Sequence, residues 1–84
     1  MHTRTVLITG ISSGIGKAAV TAFRRSGWQV VATMRNPAHA AEFGWPANVL
    51  VTRLDLTDPA SFEEAKHAAE ARFGAVDALV NNAG

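Results

Sequence analysis

The chain has no cysteine and no tyrosine among its 84 residues, and its apolar runs are short. Without cysteine there can be neither a disulfide framework nor a thiolate zinc site. The three histidines, His2, His39 and His67, lack metal-ligand spacing, so no metal centre is expected. No apolar run approaches the ~20 residues of a membrane-spanning helix. Met1 to Thr5 is polar and Val6-Leu7-Ile8 is too short for the apolar core of a signal peptide. A soluble, cytoplasmic protein is the expectation. An excess of charge of one sign is missing too: 8 Lys and Arg against 7 Asp and Glu leave a net charge of +1, scattered along the chain. That excludes a basic stripe for nucleic acid and a polybasic patch for a membrane surface. What remains, 48% hydrophobic and 18% charged, is the composition of one small globular domain over residues 1–84.

Four short apolar runs organise the chain: Thr5–Ile8, Gln29–Thr33, Val49–Arg53 and Ala78–Val80. Their apolar residues are continuous rather than alternating, as strands covered on both faces require. Helical periodicity lies between them. Ile15, Ala18, Ala19, Ala22 and Phe23 follow the i, i+3, i+4, i+7, i+8 template of a buried stripe, and Gly27 supplies a left-handed stop. The segment from Asp58-Pro59 to Phe73 predicts a second strong helix. Asp58 is its cap, Pro59 its first position, Phe62, Ala65, Ala69 and Phe73 its stripe, and Gly74 its end. Pro37–Phe43 predicts a short helix before the turn Gly44-Trp45-Pro46. The order is β-α-β-α-β-α-β. Right-handed crossovers make it an α/β fold: a parallel sheet with helices on both faces, strand order 3-2-1-4 and the first strand central.

Between the first strand and the first helix the chain reads Thr9-Gly10-Ile11-Ser12-Ser13-Gly14-Ile15-Gly16. Holding a phosphate at such a turn needs a sharp bend, no bulky Cβ where the ligand approaches, and amides pointing outward from a helix N-terminus. Gly10, Gly14 and Gly16 can supply all three, and Ser12 and Ser13 add hydroxyls. The spacing is Gly-x-x-x-Gly-x-Gly rather than the commoner Gly-x-Gly-x-x-Gly. A nucleotide P-loop fails twice. Gly10 stands one residue too far from Gly16-Lys17, and Ala18 replaces the hydroxyl residue that would hold magnesium. Taken alone, the loop is also readable as a purely structural glycine turn.

Three motifs at successive strand ends change that balance: the glycine loop, Asp55-Leu56, and Asn81-Asn82-Ala83-Gly84. Together they resemble the short-chain dehydrogenase/reductase family, over the whole chain but only the N-terminal third of that family's domain. The resemblance implies a Rossmann-type fold that binds a nicotinamide dinucleotide. It assigns the pyrophosphate and ribose to Gly10, Ser12, Ser13, Gly14, Ile15 and Gly16. The end of the second strand reads the adenosine 2′ position in that family, and here it is Arg35, with Asn36 beside it. A guanidinium pairs with a 2′-phosphate, whereas a free hydroxyl calls for an acid, so NADP(H) is expected over NAD(H). The alternative is that Arg35 is a solvated strand-end charge. Asp55, by resemblance, accepts from the adenine amino group beside the Leu56 backbone, although Asp55 to Asp58 can also cap the following helix. Asn82, Ala83 and Gly84 resemble the stretch that passes under the cofactor ribose, while Asn81 fits a tie between strands.

The family's reaction moves a hydride between nicotinamide and a ketone or secondary alcohol. A tyrosine serves as general acid/base, helped by a lysine, a serine and an asparagine. The proton transfer needs a positioned group of suitable pKa, and this chain has no tyrosine. Lys17 and Lys66 fall on the first and last predicted helices and cannot take the missing lysine's role. The expectation is therefore a cofactor-binding segment that is inactive alone, with the small carbonyl or alcohol substrate, and any homo-oligomer, belonging to a longer parent. Two alternatives stay open: a non-catalytic dinucleotide-binding module, and an inactive fragment whose last strand is an uncovered edge.

Overall fold

The computed structural model of the chain describes residues 3–11, 14–38 and 44–82. Its elements run β1 (Thr5–Ile8), α1 (Gly14–Arg25), β2 (Gln29–Met34), β3 (Val49–Arg53), α2 (Pro59–Phe73) and β4 (Ala78–Val80). The four strands form one parallel sheet in the order β3-β2-β1-β4, as the sequence predicts. β2 continues one residue past its predicted end, because Met34 still pairs with Arg53.

Successive side chains leave opposite faces of each strand, so the continuous apolar runs divide into two cores. On one face Val6, Ile8, Val30, Ala32 and Val49 pack with Ile11 and Val20, and Ala19 and Phe23 close over them. On the other, Leu7 and Val31 pack with Ala69, bordered by Leu50, Phe73 and Val76. The two helices thus cover opposite faces. β4 is an edge strand, and Leu79 is exposed on it.

The helix faces differ from the periodicity reading. α1 buries Gly16 and Val20, with Ala19 and Phe23 half-buried, whereas Ala18 and Ala22 are exposed and Ile15 is 76% exposed. The helix is rotated so that Gly16 packs against Gly10 and Ile11 in the turn after β1. α2 buries Ser61, Ala65 and Ala69, while Phe62 is 40% exposed. Asp58 occupies the cap position but its side chain makes no capping hydrogen bond. Its carboxylate instead accepts from Arg53 Nη1 at 3.2 Å. Of the predicted helix over Pro37–Phe43, Pro37 and Ala38 lie in a single 3₁₀ turn and 39–43 fall outside the described residues.

Gly27 ends α1 as expected, at φ 87°. The Trp28 N–H donates to Phe23 O and the Gly27 N–H to Arg24 O, both at 3.1 Å, which is the Schellman pattern. Its usual apolar contact is present as an edge-to-face pair of the Phe23 and Trp28 rings, 5.2 Å apart. Trp28 then leads into β2, and the Arg4 guanidinium lies 5.7 Å from its ring centre.

Candidate functional site

All four strands end at one edge of the sheet. In an open parallel sheet, ligands bind outside the carboxyl ends of the strands, where the strand order reverses. Here that reversal lies between β1 and β4. The residues arriving at this edge are Gly10 after β1, Arg35 and Asn36 after β2, Asp55 and Leu56 after β3, and Asn81 and Asn82 after β4.

The glycine turn is held from both sides. Gly10 has φ 67°, a left-handed conformation in which a side chain is strained. The bend drops Ile11 into the core, fully buried, with its N–H donating to Thr33 O at 3.1 Å. The buried Thr33 hydroxyl donates to Ile8 O at 2.9 Å, which stitches the end of β1 to β2. On the β4 side, Asn82 Nδ2 donates to Gly10 O at 3.0 Å. The Asn82 N–H donates to the Thr9 hydroxyl at 2.9 Å, and that hydroxyl lies 3.2 Å from its acceptor Asn81 Oδ1. Asn81 therefore ties β1 to β4, as expected, and Asn82 ties the loop as well. A Cβ on Gly16 would lie 2.6 Å from both Gly10 O and Ile11 Cα. A Cβ on Gly14 would meet nothing within 4 Å among the described residues, and Gly14 and Ile15 are exposed. Ser12, Ser13, Ala83 and Gly84 lie outside the described residues.

Across the edge, Arg35 is exposed and pairs with no carboxylate among the described residues. Asn36 Oδ1 accepts the Ala38 N–H at 3.1 Å, a local turn that occupies its side chain. Asp55 Oδ1 accepts from both the N–H and the hydroxyl of Thr57, at 2.9 and 2.7 Å. Asp55 Oδ2 stands 3.7 Å from Arg53 Nη2. The Thr57 hydroxyl and N–H, with the charges of Arg53 and Arg35, hold the Asp55 carboxyl below its ordinary pKa of 3.8. The charged form is thus favoured by the fold. Its contribution to stability is complete above the ordinary value and is lost as pH falls through the lowered one. Thr57→Val removes the hydroxyl bond at an exposed position, and NMR titration of the Asp55 carboxyl carbon should show its pKa move upward.

Periodicity overlooked three residues that build this edge: Thr9, Thr33 and Ser61. Each is a buried polar side chain. The usable signal is the hydroxyl itself, since a buried one needs partners. The Ser61 hydroxyl finds them in the loop before α2, accepting the Asp55 N–H at 2.9 Å and donating to Asp58 O at 2.7 Å.

Residues 4–84 match the family model described as short chain dehydrogenase. The chain is 42% identical over 83 residues to the 3-oxoacyl-[acyl-carrier-protein] reductase FabG of Escherichia coli, covering 96% of this chain and 34% of that protein. It is 40% identical over 84 residues to the serine 3-dehydrogenase of Agrobacterium fabrum, covering 95% of this chain and 33% of that protein. Among solved structures it resembles the 3-ketoacyl-(acyl-carrier-protein) reductase of Brucella melitensis, solved in complex with NADH. The TM-score is 0.84 at 31% identity, over 93% of this chain and 33% of that one. A short-chain dehydrogenase of Streptomyces avermitilis matches with a TM-score of 0.84 at 34% identity, over 98% of this chain and 31% of that one. The chain thus spans about a third of the length of the curated relatives it matches.

Proposed function

The chain belongs to the short-chain dehydrogenase family, and from that premise we propose that it is the N-terminal, cofactor-binding part of an NADP(H)-dependent oxidoreductase domain. The observation that carries the dinucleotide reading is the glycine turn. Gly10 is in a left-handed conformation, Gly16 is packed against main chain, and a Cβ on Gly14 would meet nothing among the described residues. A sharp turn with room beside the first residue of a helix suits a pyrophosphate. Gly10, Ser12, Ser13, Gly14, Ile15 and Gly16 are assigned to the pyrophosphate and ribose, Asp55 and Leu56 to adenine, and Asn82, Ala83 and Gly84 to the stretch under the cofactor ribose. Arg35, exposed and in no close ion pair among the described residues, supports the choice of NADP(H), with Asn36 beside it.

When bound, the nicotinamide supplies or accepts a hydride, and a ketone or secondary alcohol is the proposed substrate of the parent. This chain's own residues bind and orient. With no tyrosine in the sequence, the proton-transfer group is assigned to the parent, and the chain alone is expected to be inactive. The same proposal places the protein in the cytoplasm; no helix among the described residues is long and apolar enough to cross a membrane. Calorimetric titration of NADPH and NADH against the chain tests the cofactor assignment. NADPH is expected to bind about tenfold or more tighter, the worth of a charge-assisted contact. Equal affinities, or tighter NADH, would remove the NADP(H) assignment.

A further inference from the structure

We infer that Ser61 is a positioning residue for base recognition: its buried hydroxyl fixes the loop that presents Asp55 and so sets the discrimination between adenine and other purines. The inference rests on Asp55 being the adenine acceptor proposed above. Ser61 is fully buried in the first turn of α2, one position before the exposed Phe62. Its Oγ accepts the Asp55 N–H at 2.9 Å, and it lies 2.9 Å from Asp55 O and 2.7 Å from Asp58 O, to which it donates. The Asp58 N–H closes the same turn on Asp55 O at 2.9 Å. The main chain of Asp55 is thereby held at both its N–H and its carbonyl.

The side chain is then limited from the other end. Thr57 takes Asp55 Oδ1 twice, which leaves Oδ2, beside Arg53, as the oxygen open to an incoming donor. Next to it in the chain, the Leu56 N–H has no hydrogen-bond partner among the described residues. A fixed acceptor beside a fixed donor matches the adenine edge, where an amino group neighbours a ring nitrogen that accepts. Hypoxanthine presents the reverse, a carbonyl beside a ring N–H, and a site built for one pattern rejects the other. Freed from Ser61, the loop would let Asp55 and Leu56 adjust to either base.

The test is calorimetric titration of the chain with NADPH and with its hypoxanthine analogue, deamino-NADPH. The unsubstituted chain is expected to prefer NADPH by about tenfold. Ser61→Ala is expected to bring that ratio to within about twofold, chiefly by weakening NADPH, with amide NMR dispersion showing the fold intact. Should Ser61→Ala fail to fold, Ser61→Cys, close in volume and a weak hydrogen-bonding group, is read by the same ratio. A full ratio in the Ser61 variant, or equal loss of both ligands, would overturn the positioning role and leave Asp55 untouched. A ratio near one in the unsubstituted chain, unchanged in Asp55→Ala, would instead remove the adenine assignment on which the inference stands.

Discussion

Gly16→Ala is expected to cost the chain about 2 kcal/mol or more of net stability, read as a clearly lower urea midpoint. The methyl group would sit 2.6 Å from Gly10 O and from Ile11 Cα, and 3.0 Å from Asn82 Nδ2. The first two are main-chain atoms, and neither can swing aside. Gly10 is fixed by its bend and by the Asn82 amide, and Ile11 by its buried side chain and its bond to Thr33. Overpacking of this kind costs roughly 1–3 kcal/mol when side chains can yield, and more when they cannot. The helix preference of alanine returns only about 1 kcal/mol. A domain of this length has a total stability of about 4–12 kcal/mol, so the net loss is a large share. Gly14→Ala is the control, since its Cβ would meet nothing within 4 Å among the described residues. It should leave stability unchanged or raise it by up to ~1 kcal/mol, while weakening NADPH if the pyrophosphate approaches there. Urea melts of the two variants decide the matter; equal midpoints would mean that the contact at Gly16 is not a constraint.

That contrast also explains where the sequence was informative. The strands and their order were legible because each strand is a continuous apolar run, and because short right-handed connections leave few ways to arrange four of them. The end of α1 was legible in Gly27, whose left-handed turn no other residue makes as readily. The face of α1 was not. Alanines at 18, 19 and 22 satisfy the stripe template in more than one rotation, and the rotation is chosen by Gly16 against Gly10, a contact between segments that no local period encodes. Ser61 was hidden for a related reason: its partners lie in the preceding loop, so a polar residue occupies a core position. Asp58 reads as a cap from its place before Pro59. Arg53, at the end of β3, engages it instead. The site motifs were visible as separate strings, but the nearness of Arg35 to Asp55 follows from the pairing of Met34 with Arg53.

That nearness gives Arg35→Asp two separable consequences. The first is on cofactor choice. The substitution removes a guanidinium that would make charge-assisted bonds to a 2′-phosphate, worth about 1.5–3 kcal/mol, and sets a carboxylate against that phosphate at a further cost of about 1 kcal/mol in a solvent-exposed site. The same carboxylate can accept from a free 2′-hydroxyl. The ratio of NADPH to NADH affinity should therefore fall by about a hundredfold or more and reverse in favour of NADH, most strongly at low salt. The second consequence needs no cofactor. Arg35 contributes to lowering the Asp55 pKa, so replacing a positive charge by a negative one must raise it. The acid-side stability held by the Asp55 carboxylate then shrinks, because less separates the folded pKa from the unfolded one. NMR titration of the variant reads this directly. A raised Asp55 pKa with an inverted cofactor ratio is the expected pair of results. A raised pKa with an unchanged ratio would keep Arg35 beside Asp55, yet require the 2′-phosphate to be read by another residue.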